Sequence, residues 1–470
     1  MSAALRLGTL FLGMGVLAAC ATTQPQGAFE ATAKVVAGRH PGEVPFRPDD
    51  AASARIETRV QELLAAPLTA EGAAEVALLR NPFLQARLEE LGIAQADLAQ
   101  ATRLSNPGFS FTSISGGGER IRTVSLVTDF VDLLVQPLRR KLAEAELERV
   151  KLEVGQAILA TAAEARIALI RLQGAERLTQ TLGLVAEIDK AAVDYAEALF
   201  VAGNLTGLER AVSGASWAEA QSQFGRALEE AVRRREAVLR STGLTPREVW
   251  TAQTLGEPAL WNVEVDALQE QALTARLDVA AARWAVEALS RAVALKRRSR
   301  FSPLGVEVGV ERETEPDGVH LTGPTVALRL PLFDTGRASL ARLDSELARA
   351  RWQLRGLEAQ AQSEVREKAA DLAAAFEQEK IFRESLLPLR REVVDRTLRE
   401  YNAMLVGTFD LVLARQAELE SERRHVEALE GFWLARAELE RAVGGGGLGS
   451  SEPARGEASD LLPQAHKESH

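Results

Sequence analysis

Cysteine occurs once in the 470 residues, tyrosine twice, and aromatic side chains make up 5% of the chain. A single cysteine excludes an intramolecular disulfide framework. No apolar run of about 18 residues follows the N-terminal segment, so no transmembrane helix is expected there. Alanine and charged residues are abundant and the formal net charge is −10. This composition is typical of a helical protein.

The N-terminal segment has the order of a secretory signal. Arg6 precedes an apolar run from Leu7 to Leu17, and Leu17-Ala18-Ala19-Cys20 follows. We predict a signal peptide at residues 1–19. The ending resembles a bacterial lipobox, which implies lipid attachment, such as palmitate, at Cys20. Ala21, in place of a retention aspartate, favours the outer membrane. Ordinary cleavage nearby and an uncleaved anchor are the alternatives.

Residues for catalysis or metal binding are few and dispersed. The histidines lack metal-ligand spacing; they are His40, His320, His425, His466 and His470. Phosphate-loop, nucleophile-elbow and paired-cysteine motifs are absent from the sequence. Acidic and basic residues are interleaved, which argues against a nucleic-acid surface. We predict no enzyme, no metal, no nucleic-acid partner and no cofactor besides the lipid.

A helix too long for a compact domain is predicted from Pro137 to about Ala202. About 65 residues at 1.5 Å each make roughly 100 Å. Its apolar residues form two stripes at coiled-coil spacing, one from Leu138 to Ile170 and one from Leu147 to Leu172. Two stripes predict a neighbour on each side, as in a wall of helices. An ordinary two-stranded coiled coil is the alternative.

The chain is internally duplicated. Thr123-Val124-Ser125-Leu126 resembles Thr325-Val326-Ala327-Leu328, and both starts lie 202 residues apart, as do Asp132 and Asp334. A second long helix is predicted from Thr335 to about Leu405, with a kink at Pro388. The predicted segments are a lipidated linker at 20–66, repeats at 67–250 and 251–444, and a flexible tail at 445–470. Shorter helices are predicted at 82–104, 205–242, 277–300 and 408–443.

Each repeat contains a predicted β-hairpin, at about 107–130 and about 303–332. Val306, Val308 and Val310 alternate with Glu307, Gly309 and Glu311. One apolar and one polar face are typical of an outer-membrane barrel. Since a barrel needs about eight strands, four per chain would require an oligomer, and a trimer would give twelve. Soluble hairpins that cap a coiled coil are the alternative.

Several motifs resemble the TolC family of outer-membrane efflux and secretion ducts, over about residues 67–444. They are Leu68-Thr69, Asn81-Pro82 and its counterpart Arg276-Leu277-Asp278-Val279, Gly323-Pro324, Leu330-Pro331-Leu332-Phe333-Asp334-Thr335-Gly336-Arg337, and Tyr401 followed by Thr408-Phe409-Asp410-Leu411-Val412. The resemblance implies a mainly α fold: a long helical tunnel below a 12-stranded transmembrane barrel, built by a homotrimer. It also implies a periplasmic adaptor and an inner-membrane pump as partners.

The family closes at the periplasmic end of the tunnel, which makes Asp410, Tyr401 and Thr408 the candidate gate residues. Gly203, Asn204 and Gly407 are the candidate turns there. The sequence departs from the family at Met404, where a glycine is common, and at Leu413, where a second acid is common. Asp410 as a helix N-terminal residue is the alternative to a gating role.

The function predicted is the outer-membrane channel of a tripartite efflux pump, a passive conduit in a Gram-negative outer membrane. Two alternatives stay open: the exit duct of a type I protein secretion system, and a lipid-anchored periplasmic coiled-coil spacer. The exported substrate does not follow from the sequence.

Overall fold

The computed structural model describes residues 26–104, 106–258, 264–298, 305–329 and 336–446. Most of them are helical, in two repeats that each contain one β-hairpin. The predictions for residues 1–19, Cys20, 330–335 and 447–470 concern residues outside these ranges.

The first repeat runs through two short helices, a hairpin, a long helix and a shorter one. Asn81 accepts the backbone N–H groups of Phe83 and Leu84, and Pro82 suits the first turn of the helix that begins there. The elements are α3 (Ala70–Arg80), α4 (Pro82–Ala101), β1 (Gly108–Gly116), β2 (Glu119–Asp129), α5 (Phe130–Val201) and α6 (Gly207–Thr242).

The second repeat has the same order. Its elements are α7 (Val265–Ala275), α8 (Leu277–Arg298), β3 (Gly305–Thr314), β4 (His320–Arg329), α9 (Arg337–Ile381), a π-helical turn (Phe382–Leu386), α10 (Leu387–Asn402) and α11 (Thr408–Val443). A short parallel bridge joins Leu68 and Ala252, at the start of each repeat. The duplication predicted from the sequence is therefore confirmed in the order of the elements.

The first long helix starts earlier than predicted. Helix α5 begins at Phe130, directly after β2, so Pro137 lies inside the helix and not in its first turn. With 72 residues it is about 108 Å long. It places the hairpin and the α5–α6 turn at opposite ends of the molecule.

Both apolar stripes of α5 are buried, which confirms that this helix has neighbours on more than one side. Leu152, Leu159 and Ile170 belong to one stripe, and Ile158 and Leu172 to the other, and all five are at most 7% exposed. Helices α3, α4, α6, α8 and α11 contact α5. Helix α5 therefore packs against helices of both repeats and is not half of an isolated coiled coil.

The segment predicted as a linker contains two helices, α1 (Gln26–Val36) and α2 (Asp50–Leu64). Phe29 and Val36 of α1 are buried in the same cluster as Leu88 and Ile158. Burial of these side chains stabilises a helix that the polar residues around it do not predict. The start of the predicted flexible tail is also held in place, since the Gly445 N–H donates to the Glu440 carbonyl.

Candidate functional site

The four strands form one antiparallel sheet in the order β1-β2-β3-β4, with β1 and β4 at its edges. Strand register places one set of apolar side chains on a single face. This set comprises Phe109, Phe111, Val124, Leu126, Val308, Val310, Pro324 and Val326. Phe109 is 69% exposed and Val326 61% exposed. The chain therefore presents a continuous apolar surface to its surroundings, which a soluble monomer rarely does.

The opposite face of the sheet is largely polar. Ser110 and Ser125 are hydrogen-bonded across β1 and β2 at 2.8 Å, and Thr325 donates to Glu311 across β3 and β4 at 2.9 Å. The predicted alternation of Val308 and Val310 with Gly309 and Glu311 is confirmed. One apolar and one polar face is the pattern of a barrel wall with lipid on one side and water on the other.

At the other end of the molecule, the turn between α5 and α6 has the geometry predicted at Gly203 and Asn204. Gly203 has φ +76°, and the Asn204 N–H donates to the Leu199 carbonyl at 2.9 Å. This is a Schellman ending, for which glycine is the favoured residue. Thr206 and Glu209 then cap α6 reciprocally.

The turn between α10 and α11 repeats this geometry 201 residues later, with a different residue in the strained position. Met404 takes φ +60°, and the Leu405 N–H donates to the Glu400 carbonyl at 2.9 Å. Methionine in a left-handed conformation costs about 1–2 kcal/mol more than glycine. Its side chain is 93% exposed. The second turn is therefore strained where the first is relaxed.

Asp410 lies in the first turn of α11, where its carboxylate accepts the Gly407 N–H at 2.9 Å. The Asp410 side chain is exposed, and Gly407, in extended backbone, is the residue before the helix. Asp410 therefore corresponds to Glu209 in the first repeat and caps its helix. A gating role for Asp410 stays a prediction.

Thr408 connects the two repeats at this end. Its hydroxyl donates to the Tyr195 hydroxyl at 3.1 Å, and the Tyr195 ring lies 6.4 Å from the Phe409 ring. The two tyrosines do not occupy equivalent positions, because the 201-residue offset matches Tyr195 with Arg396. Tyr401, 37% exposed, makes no side-chain hydrogen bond to any described residue. The three predicted gate residues therefore lie close to one turn, and no side-chain hydrogen bond between them is described.

A buried carboxylate joins three helices about 18 Å before the turns. Asp189 of α5 is 3% exposed. It accepts a hydrogen bond from Ser216 of α6 at 2.9 Å and another from the side-chain amide of Gln416 of α11. Sequence reasoning missed this cluster, since Asp189 is one of many charges on a helix surface. The only sign of this cluster in the sequence is an acidic residue on the side of α5 that faces the other helices.

The long helix of the second repeat is interrupted just before Pro388, the residue at which we predicted a kink. The Leu387 N–H donates to the Phe382 carbonyl, five residues back, which makes a π turn before the proline. The fully buried Glu379 lies just before this turn and binds Arg383 at 3.1 Å and His425 of α11 at 3.2 Å. Helix α5 has no such interruption in its described backbone.

In the part of the chain that the structure describes, no group of three or more histidine, cysteine or acidic side chains is arranged to hold a metal ion. Within the same ranges, no helix is long and apolar enough to cross a membrane.

Comparisons with known proteins give matches in structure and none in sequence. No protein-family model matches the chain, and no curated protein does. The outer membrane protein VceC of Vibrio cholerae is 19% identical, with a TM-score of 0.62 over 84% of this chain and 97% of VceC. The Campylobacter jejuni CmeC outer membrane channel is 14% identical, with a TM-score of 0.65 over 91% and 93%. The Neisseria gonorrhoeae MtrE outer membrane channel, in its open state, is 15% identical, with a TM-score of 0.60 over 83% and 89%. This chain therefore has the fold of the TolC-type outer-membrane channels, which confirms at the level of the fold the resemblance expected from its sequence.

Proposed function

We propose that the protein is the outer-membrane channel of an efflux system, a passive duct that assembles as a homotrimer. The observation that carries the proposal is the four-stranded sheet, which has one apolar face, one polar face and two unpaired edges. Apolar residues exposed on a sheet this small need lipid, and a polar opposite face needs water. A periplasmic spacer would need neither.

Open edges support the trimer. All nine residues of β1 are exposed, and β4 forms the other edge. Unpaired strand edges are a liability that closure into a barrel removes. Three chains contribute twelve strands, which exceeds the about eight that a barrel needs.

Apolar side chains at the two helical turns support a partner at the far end. Val201 and Leu208 flank the first turn, Met404 and Leu405 form the second, and each of the four is at least 75% exposed. Exposed apolar clusters of this kind mark protein–protein contacts. A periplasmic adaptor, delivering substrate from an inner-membrane pump, is the partner that we propose for this end.

A cysteine scan tests the trimer and its closure. The background is a chain in which Cys20 is replaced by serine and a cleavable signal is retained. Each test variant carries Ser110→Cys on β1 and one second cysteine on β4, at Gly323, Thr325 or Ala327. All four positions lie on the polar face. Oxidation is expected to give a covalent ladder that ends at three chains, since edges of neighbouring copies pair. Val326→Cys, on the apolar face, is the matched control and should not cross-link. Monomers alone, across the whole scan, would contradict closure between copies.

Conductance tests the duct itself. The mature chain, reconstituted in planar bilayers, is expected to give discrete conductance steps, because a twelve-stranded barrel encloses a water-filled lumen. A trimer that inserts but conducts no ions in any variant would exclude the channel and leave a structural role.

For Cys20, we expect lipid attachment in the outer membrane. Cys20→Ser should lower the yield of assembled trimer more than the conductance of each one.

A further inference from the structure

A small cavity lies at the middle of the molecule, where the N-terminal segment, both repeats and the end of α11 meet. It encloses about 20 Å³, which is room for one atom the size of a water molecule or a halide ion. Arg39, Arg166 and Arg441 line it, together with Glu440. The cavity is separate from the sheet and from the helical turns.

Arg39 has no acidic partner among the described residues. Its Nη1 donates to the Ala275 carbonyl at 2.7 Å, the only side-chain hydrogen bond of Arg39 to a described residue. Burial lowers the pKa of the Arg39 guanidinium from its usual value. A partly buried cation bonded to one carbonyl keeps most of its donors unused, and Arg has five of them.

Arg166, which also lines the cavity, has a donor without a partner among the described residues. Its Nη2 binds Glu71 at 2.6 Å, whereas its Nε is buried and has no hydrogen-bond partner. A buried donor without a partner costs about 1–3 kcal/mol. The pKa of His40 is lowered mainly by burial, and the positive charge of Arg166 lowers it further. Two of the three arginines therefore offer unused N–H groups.

The acidic residues around the cavity are already engaged. Arg436 binds Glu440 at 3.2 Å, and Glu364 is bound by Arg276 at 2.7 Å. Arg441 is left with a 3.8 Å contact to the same Glu364. These ion pairs form three separate groups, which together contain four arginines (Arg166, Arg276, Arg436 and Arg441) and four carboxylates (Glu71, Asp278, Glu364 and Glu440). Arg39 therefore adds one uncompensated positive charge.

We propose that this cavity binds one monovalent anion of halide size, chloride, between Arg39 and the Nε of Arg166. The anion supplies the missing negative charge and accepts the unused N–H groups. It joins the N-terminal segment to α5, and so stabilises the junction at which the Gly446 N–H also donates to the Arg39 carbonyl. The proposal is independent of channel activity.

The test uses the full chain and bromide as a probe. Crystals grown in bromide should show an anomalous peak between Arg39 and Arg166. In solution, replacing gluconate by chloride at constant ionic strength should raise the midpoint of thermal unfolding by a few degrees. Arg39→Gln should abolish this shift, because it removes the uncompensated charge. Arg342→Gln, at an exposed arginine on α9 paired with Glu346, should keep it.

Three results would overturn the proposal. One is a water molecule without anomalous signal in the cavity. Another is a carboxylate there, from the tail at 447–470 or from a neighbouring copy; a variant truncated after Gly446 would then depend on chloride where the full chain does not. The third is an equal chloride shift in wild type and Arg39→Gln. If Arg39→Gln fails to fold, the bromide peak in the wild-type crystal decides.

Discussion

The buried Asp189 should set how firmly the helical end of the proposed channel stays closed. Its carboxylate connects α5 to α11 through Gln416 and to α6 through Ser216. In the proposed channel, we expect opening at this end to move α10 and α11 away from α5, with the π turn before Pro388 as the hinge. That movement separates Gln416 from Asp189.

Gln416→Leu removes one donor from a carboxylate that is 3% exposed. A hydrogen bond to a charged group contributes about 1.5–3 kcal/mol, and each 1.4 kcal/mol is a factor of about ten. The closed arrangement should therefore lose a factor of about 10–150 relative to the open one, in which water reaches Asp189. Asp189→Leu combined with Gln416→Leu should largely restore closure, because neither polar group is then left unpaired.

The assay is single-channel conductance of the purified trimer in planar bilayers, scored as the fraction of time spent open without partners. Gln223→Leu is the matched control, since the only described hydrogen bond of that amide is to Glu219 of its own helix. The open fraction of Gln416→Leu is expected to be well above that of the wild type. The control and the double variant are expected to have open fractions close to the wild-type value. An unchanged open fraction in a correctly assembled Gln416→Leu trimer would refute the reasoning.

Three further predictions concern the sheet and the turns. Val308→Arg should block membrane insertion, at a cost of about 2–4 kcal/mol near the bilayer midplane. Thr325→Arg, on the polar face, should insert normally, and heat-resistant trimer on a gel reports both; equal insertion would mean that the faces are reversed. Met404→Gly should stabilise the second turn by about 0.5–1 kcal/mol, because the conformational entropy that glycine loses on folding offsets part of the about 1–2 kcal/mol of relieved strain. Gly203→Ala should destabilise the first turn by about 1 kcal/mol, because a left-handed residue favours glycine. Hydrogen exchange of the turn amides measures both, and equal protection in all three proteins would contradict the strain. Asp410→Ala should raise the leak conductance if the Asp410 carboxylate also gates the channel. If the first turn of α11 frays but the leak conductance is unchanged, Asp410 only caps the helix.

The sequence predicted those features that depend on periodicity and on local backbone chemistry. The alternation around Val308 predicted a two-faced hairpin, and the paired stripes of α5 predicted a wall of helices. Gly203 and Pro388 predicted a turn and a kink, since φ > 0 and a missing N–H act within a few residues. These effects are local, so the order of residues is sufficient to reveal them.

Other features depend on residues that are far apart in the chain. Tyr195 and Thr408 are separated by 213 positions, and Asp189 and Gln416 by 227, so no local pattern marks either pair. Helix α1 was missed because its stability comes from burial of Phe29 and Val36 against α4 and α5.

By itself, the sequence determined the duplicated plan, through a shared 202-residue offset. It also determined the buried stripes of α5 and the two faces of the strands, because these follow from repeats of two, three or four residues. Tertiary structure alone decided which polar groups end up without water. Burial of Asp189 against Gln416, and partial burial of Arg39 and Arg166 around one small cavity, follow from packing between segments more than a hundred residues apart. Desolvation gives those side chains their energetic weight, and it exists only in the folded chain.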